Sequence, residues 1–505
     1  MKPTKVALLS ALGMLLTSVS VYSFTPPGGF AWRGESGSGA VVAESAATAT
    51  VAAPPADVAR FSAGGNLMIE GRVGHPKMVR TGTGETFVML EVRGADGVSA
   101  HGAAPVNLAL VIDRSGSMKG TRIRNAVTAA TSAVDRLNDG DVVSVVTFDT
   151  RTQVVVQPTT IAPGAREQIN AAIRGITLGG DTCISCGIEE GMTLLAQNAG
   201  KVSRVLLLSD GDANNGVRDV PGFRGIAQRA QSRGVSVTTI GVDVDFNEKI
   251  MTAIAQDSNG RHYFVENDAA LPRIFEQEAA TLTRTVASNV EAVIDLAPGV
   301  ELTSVFDRSF RRAGNQVIVP LGSFSGAEVK TVLLKVRAPA GREGVVPVVD
   351  VELAYRDLVS GSDGRCGGKL AVEVVSDAAQ ASELDSVVLG RVQRSETAAV
   401  LKDASTLFEQ GKVAEAHRRL TQREDALRVA AVKAKRAAPA ARAADVDRDF
   451  QRQLGAVGDA NRSFNAPEFA TPPPGAAAPA APVQQSRAGK SAVKQNAARA
   501  MPFGF

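Results

Sequence analysis

Tryptophan occurs once, tyrosine three times, cysteine three times and histidine four times in this chain of 505 residues. With aromatics at only 4%, any core must be built from Val, Leu, Ile and Ala. Four His and three Cys leave little material for a zinc site, and no His-Glu-x-x-His motif is present. A Walker A motif is missing, as is a convincing Gly-x-Gly-x-x-Gly nucleotide fingerprint. Enzymatic chemistry is therefore not advertised by any motif. A formal net charge of +3 is too small to argue for nucleic acid or for an acidic partner by bulk attraction. There is no series of long apolar segments, which excludes a channel in its own right.

What the chain does have is a short unbroken apolar run, Leu108 to Ile112, within Asn107-Leu108-Ala109-Leu110-Val111-Ile112-Asp113-Arg114-Ser115-Gly116-Ser117-Met118. A strand apolar at every position is one buried on both faces, as in a parallel sheet. The run stops at Asp113, and Ser115 and Ser117 follow at alternate positions before a helical pattern from Arg122 to Leu137. A carboxylate and two hydroxyls in one tight turn are hard oxygen donors of the kind that suit Mg²⁺. They also fall at the carboxyl end of a strand, where open α/β sheets place their ligands. The same residues would equally serve as caps of the next helix.

The pattern Asp-x-Ser-x-Ser-Met resembles the metal-ion-dependent adhesion site of von Willebrand factor type A domains. The resemblance implies a Thr from a Gly-rich loop and a second Asp after a later apolar strand. Gly179-Gly180-Asp181-Thr182 and Val205-Leu206-Leu207-Leu208-Ser209-Asp210-Gly211 supply them in that order. It further implies metal contacts from the hydroxyls of Ser115, Ser117 and Thr182, with Asp113 and Asp210 nearby, often through water. Neutral hydroxyl ligands leave Mg²⁺ (or Ca²⁺ or Mn²⁺) under-neutralised and ready to take a carboxylate from a partner protein. The expected function is thus metal-dependent protein binding through an Asp or Glu of the partner. Hydrolysis by metal-activated water would need a general base, for which Asp181 and Asp212 are the nearby candidates. Both fit better as turn residues. Two other readings stay open: a structural scaffold of an envelope assembly, and an accessory regulator of transport, since similar bacterial proteins are labelled calcium-activated chloride channel homologues. Inter-alpha-trypsin inhibitor heavy chains are similar as well.

About three domains fit this length at ~150 residues each. Lys2 and Lys5 precede an apolar run from Val6 to about Val21, so residues 1–24 read as a secretory signal or an N-terminal anchor and the body as exported to the periplasm or cell surface. Residues 25–61, rich in Pro, Gly, Ser and Ala, read as a disordered linker. Residues 62–104 contain two strand patterns, Asn66–Val73 and Glu85–Arg93. Strands and helices then alternate over 105–287, which predicts a doubly wound, mostly parallel sheet with helices on both faces. Residues 288–377 revert to strands, predicting a β-sandwich that the two early strands complete, with the α/β domain inserted between. Residues 378–436 predict a helical hairpin whose Phe408-Glu409-Gln410-Gly411-Lys412 turn resembles half of a tetratricopeptide repeat. One hairpin cannot build a solenoid, so its expected task is to cover the sandwich. Residues 437–505 read as a disordered Ala/Pro-rich tail, ending in Pro502-Phe503-Gly504-Phe505 as either a docking tag or an apolar end.

Cys183 and Cys186 directly follow Thr182, three apart at a helix start. A local disulfide is expected in an oxidising envelope, acting as a small staple or as a redox control of the adjacent loop. Cys366 is then the odd thiol, unless it pairs with one of the two.

Overall fold

A computed structural model describes residues 58–96, 105–198, 200–464 and 486–504. The expected signal or anchor, and the linker as far as residue 57, lie outside the described residues. Four strands come first: β1 (Arg60–Gly64), β2 (Leu67–Val73), β3 (Lys77–Val79) and β4 (Glu85–Gly94). The linker expected to 61 therefore ends earlier, because Ala59 is buried in the sandwich and Arg60 already pairs with Arg72.

The α/β segment runs β5 (Val106–Asp113), α1 (Thr121–Arg136), β6 (Val142–Phe148), β7 (Thr152–Thr160), α2 (Pro163–Arg174), α3 (Ile184–Ala196) and β8 (Val202–Ser209). It continues through α4 (Val220–Ser232), β9 (Val235–Val242), α5 (Glu248–Asp257), β10 (His262–Val265) and α6 (Leu271–Leu282). The sheet order is β10-β9-β8-β5-β6-β7, parallel except for β7 at one edge. Alternate residues of β5 explain its unbroken apolar run. Leu108, Leu110 and Ile112 pack under α1 and α6 on one face, and Ala109 and Val111 pack under α3 and α4 on the other. Because β5 lies between β6 and β8, their carboxyl ends meet where the chain switches direction across the sheet.

After α6 come β11 (Thr285–Leu296), β12 (Glu301–Phe306), β13 (Arg311–Ala313), β14 (Gln316–Ser325), β15 (Val329–Arg337), β16 (Gly344–Asp357) and β17 (Ser362–Val375). α6 stops at Leu282, and the β-branched pair Thr285-Val286 opens β11, with Thr285 opposite Ser325 of β14. Two sheets face each other, ordered β1-β2-β4-β15-β12 and β13-β14-β11-β16-β17-β3. β4 pairs with β15 across the whole inserted segment, from Val329 opposite Arg93 to Arg337 opposite Glu85. The two-residue period sorts side chains here: Val88, Leu90, Val92, Val332, Leu334 and Val336 point into the sandwich core. Met89 and Leu333 point outward.

That outward face is covered by α7 (Ser386–Glu409), whose Val388 and Val392 pack on Met89 and Leu333. α8 (Val413–Ala437) returns along α7, with Gly411 turning the chain at φ 77°. The tail expected to be disordered from 437 onward is corrected by two further helices, α9 (Ala443–Phe464) and α10 (Arg487–Gly504). Alanine favours helix, and Val446, Phe450, Val457, Ala460 and Phe464 form one apolar stripe buried on α7 and α8. Most prolines of this region, Pro472-Pro473-Pro474 among them, fall in 465–485, outside the described residues, whereas Pro439 precedes α9 and Pro502 lies within α10. Among the described residues, no helix is long and apolar enough to cross a membrane.

Candidate metal centre

Three loops at the carboxyl edge of the α/β sheet carry the hydroxyls and carboxylates singled out from the sequence. Asp113 ends β5 and is fully buried. Its Oδ1 accepts the Ser115 backbone N–H at 2.8 Å, and its Oδ2 accepts the Ser209 hydroxyl at 2.5 Å. The Ser115 and Ser117 hydroxyls stand 3.0 Å apart, and Ser117 donates to Asp210 Oδ1 at 2.6 Å. Ser117 itself is exposed, so the cluster opens to solvent on that side.

Thr182 arrives from the segment before α3. Gly179 N–H donates to the Arg114 carbonyl at 2.7 Å and Gly116 N–H to the Gly180 carbonyl at 3.1 Å, which ties the two loops together. A Cβ on Gly179 would lie 1.8 Å from Asp149 Oδ2, so this close approach requires glycine. The backbone of Thr182 is held by Asn214, whose Oδ1 accepts its N–H at 2.8 Å. A Cβ on Gly211 would stand 3.2 Å from Thr182 Oγ1 and 3.7 Å from Ser117 Oγ. The two hydroxyls therefore face the same glycine, and any side chain there would fill the space between them. Asp113, Ser115, Ser117, Thr182 and Asp210 are brought into one cluster.

Burial dominates the electrostatics of this cluster. Burial pushes the Asp113 carboxyl up to about 6; the Ser209 and Ser115 hydrogen bonds oppose this and the neighbouring Asp210 adds to it. Burial likewise raises Asp210, against the hydrogen bond from Ser117 and the Arg122 guanidinium. Two adjacent carboxyls that resist ionisation, beside three hydroxyls and an open edge, fit a small hard cation. A bound divalent ion would favour the ionised form of both carboxyls and offer a Lewis-acid position for an incoming oxygen ligand.

Several residues here carried no sequence signal as site residues. Arg122, in the first turn of α1, donates from Nη1 to Asp210 Oδ2 at 2.7 Å and to the Ser117 carbonyl at 2.9 Å, while Nη2 meets Asp243 Oδ2. A cation at a helix N-terminus runs against the helix dipole, and that mismatch was the available clue. Ser209 was visible only as the residue before Asp210. Of the two candidate bases, Asp212 is exposed and accepts the Asn247 side-chain amide at 3.0 Å, and Asp181 is exposed with its N–H donated to Thr150 Oγ1. Cys183 and Cys186 are disulfide-bonded, with Cα atoms 5.4 Å apart, and Cys366 is a free, half-buried thiol in β17. The loop after Asp210 rests on this disulfide at Gly216, whose φ of +70° and missing Cβ leave room for Ser185 Oγ and Cys183 Sγ.

Residues 107–277 match the family model of the von Willebrand factor type A domain. The α/β segment is a domain of that family. Among curated proteins, the chain is 28% identical to the uncharacterized protein sll0103 of Synechocystis sp. over 51% of its own length and 63% of that protein. It is also 28% identical to human inter-alpha-trypsin inhibitor heavy chain H4, over 35% of its own length and 20% of that protein. The match to each of these relatives thus spans less than two thirds of the relative. Among solved structures, a von Willebrand factor type A protein from Catenulispora acidiphila superposes with a TM-score of 0.64 at 17% identity, covering 79% of this chain and 89% of that one. The ArnB paralog VWA2 from Sulfolobus acidocaldarius superposes with a TM-score of 0.53 at 18% identity, covering 78% and 98%. These likenesses extend the shared fold well beyond the α/β domain.

Proposed function

We propose that this is a metal-dependent protein-binding protein of the cell envelope. Mg²⁺ would be held by the hydroxyls of Ser115, Ser117 and Thr182, with Asp113 and Asp210 bound through water, and would capture an Asp or Glu carboxylate of a partner protein. The observation that carries this reading is the meeting of two buried carboxyls and three hydroxyls at an open sheet edge. Binding is favoured over catalysis because Asp181 and Asp212, the acids considered as bases, are solvent-exposed loop residues rather than members of the cluster. A purely structural metal is disfavoured because the loops are already tied by their own backbone, through Gly179, Gly116 and Asn214. Export rests on Lys2, Lys5 and the apolar run that follows, and a disulfide beside Thr182 suits an oxidising compartment.

Isothermal titration of Mg²⁺ into the full chain and into Asp113→Ala tests the site. The unaltered chain should bind and the variant should not, while both keep the same circular dichroism. Equal affinities would remove the assignment. A carboxylate-bearing peptide added after Mg²⁺ should bind only to the loaded, unaltered chain.

A further inference from the structure

α10 is far from the metal cluster in sequence, yet its basic residues lie along the acidic loop that follows β9. Lys490 Nζ pairs with Asp245 at 2.8 Å. Lys494 Nζ pairs with Glu248 at 2.6 Å, donates to the Phe246 carbonyl at 2.7 Å, and lies 4.6 Å over the Phe246 ring. At the far end of the helix, Arg391 Nη1 donates to the Phe503 carbonyl at 3.3 Å, and Phe503 is buried in the helical cluster. Apolar packing thus anchors α10 to the other C-terminal helices, whereas its hold on the α/β domain is mainly ionic.

One of those ion pairs leads into the metal cluster. Arg487 Nη2 meets Asp243 Oδ1 at 2.7 Å, and the other oxygen of the same carboxylate meets Arg122 Nη2. Arg122 Nη1 in turn meets Asp210 Oδ2 at 2.7 Å. Arg487, Asp243, Arg122 and Asp210 form an unbroken line of alternating charge from the C-terminal helix to a proposed metal residue. Asp243 is buried and held at φ 62°, a conformation uncommon outside glycine, with its Oδ1 also accepting the Val244 N–H at 2.8 Å.

We infer that α10 is an intrachain strap whose docking on the α/β domain and whose hold on Asp243 oppose metal binding at Asp210. The inference rests on the metal reading above. Its sign follows from the charges. While Arg487 shares Asp243, Arg122 remains on Asp210 and occupies the carboxylate that a cation needs. Without Arg487, Asp243 has Arg122 as its ionic partner and draws it away from Asp210. Losing Arg487 also removes one positive charge from the neighbourhood of the cation. Both effects tighten the metal. Coupling is reciprocal, so metal binding must loosen α10 by the same factor.

The test uses the full chain and Mg²⁺ alone. Arg487→Ala alters an exposed side chain and leaves the buried face of α10 intact. It should raise Mg²⁺ affinity about five-fold, the lower end of common coupling strengths. Lys490→Ala removes an equal charge from the same helix but lies off the line to Asp210, and should raise affinity by clearly less. Hydrogen exchange of the α10 amides in the unaltered chain should speed up when Mg²⁺ is added. Equal Mg²⁺ affinity in the unaltered chain and Arg487→Ala overturns the coupling alone, and so does an equal gain from Lys490→Ala. Failure of the unaltered chain to bind Mg²⁺ overturns the metal reading and the coupling with it.

Discussion

Replacing His262 with asparagine isolates one buried proton site from the many carboxylates that also titrate in acid. The imidazole sits at the start of β10, with Nδ1 2.9 Å from Thr239 Oγ1 and the Phe246 ring 5.9 Å away. Burial, with Lys494 of α10 adding repulsion, pushes its pKa down to about 3 from an ordinary 6.5. A base whose folded pKa is depressed contributes stability above its unfolded pKa and loses it as pH falls toward the folded one. The window is therefore pH 6.5 down to 3. Each pH unit inside it costs about 1.4 kcal/mol, so the loss by pH 5 is roughly 2 kcal/mol. Asparagine keeps a polar atom for Thr239 and does not titrate, so its own packing cost is constant with pH. Urea unfolding of the two proteins at several pH values reads the difference directly. The advantage of histidine should be flat above pH 7 and shrink by roughly 2 kcal/mol between pH 6.5 and 5. A difference that stays constant to pH 5 would refute the reasoning, as would an imidazole seen protonated by NMR at pH 5 in the folded chain.

Two further outcomes follow from the packing. Reducing the Cys183–Cys186 bond, in a Cys366→Ser background, should change Mg²⁺ affinity by more than it changes melting temperature, because so short a loop constrains little chain entropy, roughly under 3 kcal/mol; calorimetry in both redox states checks it, and equal affinities leave only a staple. Phe450→Ala should cost about 3–5 kcal/mol in chemical unfolding of the helical cluster, since the ring is buried among α7, α8 and α9 rather than lying on a disordered tail.

The parallel strands were legible because burial on both faces leaves a continuous apolar run, as at Leu108–Ile112 and Val205–Leu208. Asp113, Ser115 and Ser117 were legible as a group because they stand at alternate positions in one turn. Thr182 and Asp210 lie on other loops, so only the family resemblance joined them to that turn. Short edge strands left too little pattern: β3 is three residues and β13 is Arg311-Arg312-Ala313, wholly exposed. α9 was misread because alanine and scattered charge look the same in a helix and in a polar tail until the spacing of Val446, Phe450, Val457 and Phe464 is weighed.

The residues least visible in the sequence share a property. Arg122 places a cation where the helix dipole disfavours one, and Asp243 takes a backbone conformation that most side chains avoid. Neither choice improves α1 or the β9 turn in isolation. Each makes sense only through the other, since Arg122 bridges the carboxylates of Asp210 and Asp243. Local rules broken at two positions in contact mark a place where the chain is shaped by something beyond local stability. Here the contact joins the proposed metal cluster to α10. The alternating charges of Asp210, Arg122, Asp243 and Arg487 are the contacts through which the proposed cation would disturb α10.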